Sequence, residues 1–347
     1  MSAFMRHIFF VLMAAVFTGC SLVDEDMRDC GTEYTLDYSL TLVTNVSTEI
    51  ETELETDLNT DLELSAATAL RGYLKNIFTD YAHDVDLSFY DVAEDSVRLH
   101  HEGHIMDANQ SSYTLYVPVR RYMHTALANL TDNPVVQVVD GDFCHREKLL
   151  QIKADTLRPH ATGLFTARLP MDIKEGVSQS FDVHLYMANS ATAIVIDTTG
   201  SNIRDLKLFA TGFATDFAVR DSLYHFDAAP VFRMDSIPLT DNSGCCFASV
   251  NFPSRNPFDS KVVIDSQDSF VTEQADEALW CLKAYVTMPD GSVTESVLGV
   301  NQPLHAGELK ILKGKVIGNG AVQPDDPTVA VSITLEWGGG MDIPIDL

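Results

Sequence analysis

The sequence is short of positive charge. Against 50 Asp and Glu stand only 23 Lys and Arg, a formal net charge of −27 over 347 residues. Phosphate binding needs a basic footprint that releases counterions, so nucleic acid is excluded as a partner. Docking on anionic lipid headgroups by charge is excluded on the same ground. Nowhere do eighteen apolar residues run together, so nothing here spans a bilayer as a helix. No G-x-x-x-x-G-K-[ST], G-x-G-x-x-G or G-x-S-x-G occurs, which removes the P-loop, dinucleotide and serine-hydrolase signatures. Closely spaced cysteine pairs of the zinc-site kind are missing as well. With only two tryptophans, Trp280 and Trp337, both inside strand patterns, no aromatic platform for sugars stands out.

What is present begins at the N-terminus. Arg6 and His7 precede an apolar run of ten, Ile8 to Phe17. Ten helical residues reach about 15 Å, half of the roughly 30 Å hydrocarbon core, so the run reads as the core of a secretory signal peptide. Phe17-Thr18-Gly19-Cys20 then resembles a bacterial lipobox, in which cleavage leaves Cys20 first and acylated, although Phe17 replaces the usual Leu. A diacylglyceryl cysteine anchors stably, at about 0.8 kcal/mol per buried CH2. The acidic cluster Asp24-Glu25-Asp26 behind it resembles the surface-export signal of Bacteroidetes lipoproteins. These features divide the chain into a signal peptide (1–19), a lipidated acidic tether (20–32) and a body.

With Cys20 lipidated, five cysteines remain, an odd number that leaves one free or paired between chains. The economical pairing joins Cys30 to Cys144, and Cys245 or Cys246 to Cys281. Adjacent Cys245 and Cys246 do not suit a bond to each other.

The body reads mainly as strands. Tyr34 to Leu42 alternates apolar and polar residues, and similar short segments recur to the C-terminus, punctuated by Gly, Pro, Asn and Asp. One segment differs: Ala66, Leu70, Tyr73, Leu74, Ile77, Phe78 and Tyr81 recur at three- and four-residue spacings, predicting an amphipathic helix with Ser65 as its N-cap. Arg158-Pro159 reads as a domain boundary, giving domains 33–158, which holds the helix, and 159–347. The pattern is mainly β, in antiparallel sandwiches.

Candidate reactive groups are weak. His100 and His101 are neighbours on a strand and point to opposite faces, so at most one joins His104 on a metal. Cys144-His145 places a thiol beside a base, but chain neighbours rarely face each other productively. No enzyme activity, metal or cofactor is expected. The Asp-(Ser/Thr)-aliphatic pattern that Bacteroidetes O-glycosylate occurs at Ser96, Thr156, Thr198, Ser222 and Ser236.

Taken together, the lipobox, Asp29-Cys30 leading into a first strand, His83 to Asp91, Tyr113 to Pro118, Tyr122 to Asn129 and Leu335-Glu336-Trp337-Gly338 resemble the FimB-type anchor subunits of Bacteroidetes fimbriae. The resemblance implies two transthyretin-like β-sandwich domains, an outer-membrane lipid anchor at Cys20, and a structural role at the base of a fimbrium. Its implied partners are fimbrial pilin subunits, joined by strand addition that satisfies edge hydrogen bonds. The alternative is a surface glycan-binding lipoprotein built on similar sandwiches.

Overall fold

The computed structural model describes residues 33–336 apart from 44–59, 78–83, 94–97, 106–111, 132, 140–147, 152–153, 227–229, 241 and 256–277. Its architecture is mainly β, with a single helix among the described residues. The strands are β1 (Glu33–Val43), β2 (Val85–Asp91), β3 (Arg98–Ile105), β4 (Ser112–Pro118), β5 (Arg121–Ala128), β6 (Val136–Val139), β7 (Lys148–Gln151), β8 (Phe165–Asp172) and β9 (Gln179–Met187). They continue as β10 (Ser190–Asp197), β11 (Asp205–Thr211), β12 (Asp216–Ala218), β13 (Leu223–His225), β14 (Phe232–Arg233), β15 (Asp235–Ile237) and β16 (Gly244–Asn251). The last are β17 (Trp280–Thr287), β18 (Val293–Val300), β19 (Leu309–Val316), β20 (Val322–Pro324) and β21 (Ala330–Glu336).

Four sheets result. The first has the order β3-β2-β5-β8-β9-β1-β4, the middle sheet β15-β16-β10-β19-β20, the outer sheet β14-β11-β17-β18-β21 and a small one β13-β12-β7-β6. Most neighbours are antiparallel, but β1 runs parallel to β9 and β10 parallel to β19. Two prolines sit where their missing N–H costs nothing. Pro118 lies on the edge strand β4, and Pro170 lies where β8 has already parted from β9, the two pairing only at Phe165 and Thr166.

The middle sheet is covered on both sides. Ile194, Ile196, Phe247, Leu312 and Val316 meet Leu208, Trp280, Leu282 and Leu298 of the outer sheet in one apolar cluster, a β-sandwich. The opposite face, with Ala191, Ala193, Val195, Ala248 and Val250, joins a second cluster that runs through the helix to the first sheet. Hence Ser190 to Val195 are buried without alternation, as expected of a strand with two buried faces.

The helix α1 (Asp61–Ile77) begins earlier than the apolar spacing predicts. Thr60 Oγ1 accepts from Glu63 N and Glu63 Oε2 accepts from Thr60 N, both at 3.1 Å, a reciprocal capping box. Ser65 is therefore not the cap. Its hydroxyl instead accepts from the Thr240 backbone N–H at 2.9 Å, on the strand side. The helix lies against β10, β15 and β16 of the middle sheet, where Ala66 and Ala67 meet the sheet's alanines and permit close approach. Lys313 Nζ to Glu63 Oε1, at 2.8 Å, ties its first turn down. Leu70 is fully buried at the centre of this contact. Leu70→Ala should lower stability by about 2–5 kcal/mol, read from the midpoint of urea unfolding.

The boundary expected at Arg158-Pro159 is not where the chain changes sheet. Both β8 and β9 lie beyond it and complete the first sheet, and only Ala188 and Asn189 separate β9 from β10. The small sheet also draws β6 and β7 from one side of 158 and β12 and β13 from the other. Residues 157–164 form a buried tie rather than an exposed linker: Leu157, His160 and Leu164 are each at most 3% exposed. Leu157 N donates to Val231 O, His160 N to Val250 O and Gly163 N to Ile77 O, linking outer sheet, middle sheet and helix. An Arg-Pro pair reads as a surface break, yet proline has no N–H to strand when buried.

Candidate functional site

The buried tie and the end of α1 enclose a cleft of about 750 Å³. Tyr73 and Ile77 line it from the helix, Arg158 to Ala161 from the tie, and Asp205 to Leu208 from β11. Arg233, Asp235, Ser236 and Phe247 close the far side. Pairing brings the polar groups together. Arg233 lies opposite Phe209, and Leu208 and Leu206 enter the core, so Arg233 and Lys207 share the outward face of the sheet. Leu157 bridges Phe232 and is buried, which places Arg158 beside them on that same side.

Charge in the cleft is mixed. The Tyr73 hydroxyl donates to Asp235 Oδ2 at 2.7 Å; burial first, and then this carboxylate, raises the phenol far above its ordinary range, so it stays a donor. Lys207 sits 3.9 Å from Asp205, a loose pair with both side chains partly exposed. Arg158 and Arg233 make no ion pair and no side-chain hydrogen bond among the described residues.

A polar knot lies behind the tie. The Asn189 amide donates to Thr162 O at 2.9 Å and its carbonyl accepts from Leu164 N, while Asn129 donates to Gly163 O. His160 Nδ1 is 3.4 Å from the Asn189 amide nitrogen, and its Nε2 is buried without a partner. Phe252 and Phe232 pack edge-on to the ring. Burial lowers the His160 pKa to about 3, so the ring is neutral.

Most of the residues expected from the sequence to act lie elsewhere. Cys20, Cys30, Cys144 and Ser96 fall outside the described residues. The expected bond from Cys281 to Cys245 or Cys246 is not formed, and all three are free thiols. Cys246 faces the helix-side cluster and Cys245 the sandwich core, whereas Cys281 alternates with the core residues Trp280 and Leu282 and so points to the outer face. Burial pushes the Cys246 thiol up to about 12 and raises the other two, making all three poor nucleophiles.

Of the glycosylation motifs, Thr156 and Ser236 are exposed, and Ser236 lies in the cleft. The Thr198 hydroxyl donates to Ser243 O at 3.0 Å, and Ser222 is half-buried with a left-handed φ of 53°. His100 and His101 pair with Phe89 and Ser88 on β2. Among the described residues no three His, Cys, Asp or Glu converge as metal ligands. Trp280 is a core residue whose indole donates to Gln302 O at 2.9 Å, not a surface platform. The cleft itself was missed: Arg158, Lys207 and Arg233 are scattered along the chain and meet only through β11–β14 pairing and the tie.

No family model matches the chain, and no curated protein does. Several solved structures are similar to it over most of its length. A candidate adhesin of Bacteroides ovatus aligns over 88% of this chain and 97% of its own, with 8% identity and a TM-score of 0.49. A candidate polysaccharide-binding protein of Bacteroides thetaiotaomicron covers 84% and 98%, at 10% identity and a TM-score of 0.48. The fimbrial anchor protein Mfa2 of Porphyromonas gingivalis covers 87% and 99%, at 9% identity and a TM-score of 0.42.

Proposed function

We propose that this protein is a non-enzymatic, lipid-anchored structural subunit that holds a fimbrium on the outer membrane through strand-mediated contact with a pilin. The observation that carries the reading is the lipobox cysteine: Cys20 follows a ten-residue apolar run too short to span a bilayer. Among the described residues no helix is long and apolar enough to cross a membrane.

The edge of the sandwich supports the second half of the reading. On the edge strand β21, Val331 and Ile333 stand opposite Leu298 and Ser296, on the side turned toward the middle sheet. They are nonetheless 40% and 44% exposed. An edge strand with no further partner among the described residues, and with exposed apolar side chains, is a surface to which another strand can add. Exposed Thr156, outside the cleft, is the glycan acceptor this surface location favours.

Cys20→Ala is expected to abolish acylation and move the protein from the membrane fraction into the soluble periplasmic or released fraction, read by fractionation and immunoblot. Retention in membranes would sink the anchor. Co-purification of wild-type protein from the cell surface is expected to bring down pilins; recovery without them removes the fimbrial role while leaving the anchor standing.

A further inference from the structure

The cleft between α1, the buried tie and the outer sheet has no part in anchoring or strand addition, yet it has the make-up of a ligand site. Its volume, about 750 Å³, lies in the range of small-ligand pockets. Ile77, Met234 and Phe247 supply apolar wall. Arg158 and Arg233 are exposed, bear on the cleft, and make no ion pair among the described residues. Two such guanidiniums lining one cleft can take a planar anion in the forked, charge-assisted geometry that arginine offers carboxylates. A second, independent observation points the same way. His160 lines the cleft, is 1% exposed, and has a buried Nε2 with no partner. With Nδ1 facing the Asn189 amide, which donates, Nε2 carries the proton and is an unused donor.

The acids in the cleft narrow the ligand class. Asp235, already accepting from Tyr73, and Asp205 stand among the cations. A dense polyanion, such as a phosphate or a run of acidic side chains, meets repulsion from both carboxylates. A molecule with one carboxylate and several hydroxyls uses everything present: the guanidiniums take its acid, and Asp235, Asp205 and Ser236 accept from its hydroxyls. An apolar wall suits the C–H face of a sugar ring. We infer that the cleft between α1, the tie at Arg158–Ala161 and strands β11, β14 and β15 binds an acidic saccharide of the uronic-acid class.

This inference is independent of the anchoring role, and its test leaves that role untouched. Full-length protein in detergent is titrated by calorimetry with trigalacturonate, maltotriose, triglutamate and inorganic phosphate. Saturable binding of trigalacturonate is expected, at least tenfold tighter than maltotriose or triglutamate, and weakened at least tenfold by Arg158→Gln with Arg233→Gln. Both side chains are exposed, and an unchanged circular dichroism spectrum and melting temperature verify the fold.

Asp235→Asn supplies a sign. If the carboxylate accepts from a sugar hydroxyl, trigalacturonate affinity falls; if the cleft merely attracts anions, removing a negative charge raises it. No saturation with trigalacturonate overturns the inference. So do equal or tighter binding of phosphate or triglutamate, indifference to the double arginine variant, and a gain of affinity in Asp235→Asn.

Discussion

Replacing Gly212 with alanine is expected to cost about 4 kcal/mol or more, one of the largest single-site losses in this molecule. Gly212 has φ of +97°, and a Cβ there would lie 2.6 Å from Trp280 Cα and 2.8 Å from Leu279 O. Both neighbours are held. Trp280 is 1% exposed and Phe213, the next residue, is fully buried against it. The backbone of β17 has no room to retreat, because β11 and β18 flank it.

Gly291→Ala is the matching control. Its φ is +87°, but nothing lies within 4 Å of the added Cβ. That substitution carries the conformational cost alone, about 1–2 kcal/mol. Thermal unfolding of the two variants separates the effects, and Gly212→Ala should melt roughly 10 °C below wild type. Equal losses in the two would show that the Trp280 contact does not restrict the site.

Acid is expected to destabilise the protein well before most carboxylates titrate. His124 is fully buried, stacked on Phe89 at 4.3 Å, with Nδ1 2.9 Å from Ser88 O. Burial lowers its pKa to about 4 against the opposing pull of that carbonyl, and His160 falls to about 3. In the unfolded chain both return to about 6.5. Below that pH the unfolded state gains protons that the folded state refuses. The stability these two residues support is thus complete above pH 6.5 and is lost as pH falls toward 4 for His124 and 3 for His160. Each contributes about 1.4 kcal/mol per pH unit within its window, so the pair removes several kcal/mol by about pH 4.5.

Urea midpoints at pH 7.5, 6.0 and 4.8 measure the slope, which His124→Gln with His160→Gln should flatten whatever it does to absolute stability. A wild-type midpoint independent of pH across that range would show that the two rings are not buried neutral. The overall charge of −27 works the other way at lower pH, where protonating carboxylates relieves repulsion.

The alternation that predicts strands is a local property, and it located β1 to within a residue at either end. The helix was legible from its apolar spacing, yet its start was not. The spacing begins at Ala66, whereas the stop on fraying is the Thr60–Glu63 box, which stands in the sequence as Thr-Asp-Leu-Glu ahead of the apolar repeat. At Arg158-Pro159 the chain does not change sheet, for a related reason. Charge and proline mark a surface break on average, but here Arg158 turns outward to the cleft while Leu157 and His160 on either side are buried.

By itself, then, the sequence determined the β character, the amphipathic helix α1 and the acidic balance of charge. Each depends on neighbours within about ten residues, the range over which backbone periodicity and short motifs act. Tertiary structure alone decided that β8 and β9 complete the first sheet and that α1 lies on the middle one. It also separated Cys281 from Cys245 and Cys246, and brought Arg158, Lys207 and Arg233 to one cleft. Strand partners are chosen by which apolar faces can be buried together, a condition satisfied between distant segments, and no local pattern records it.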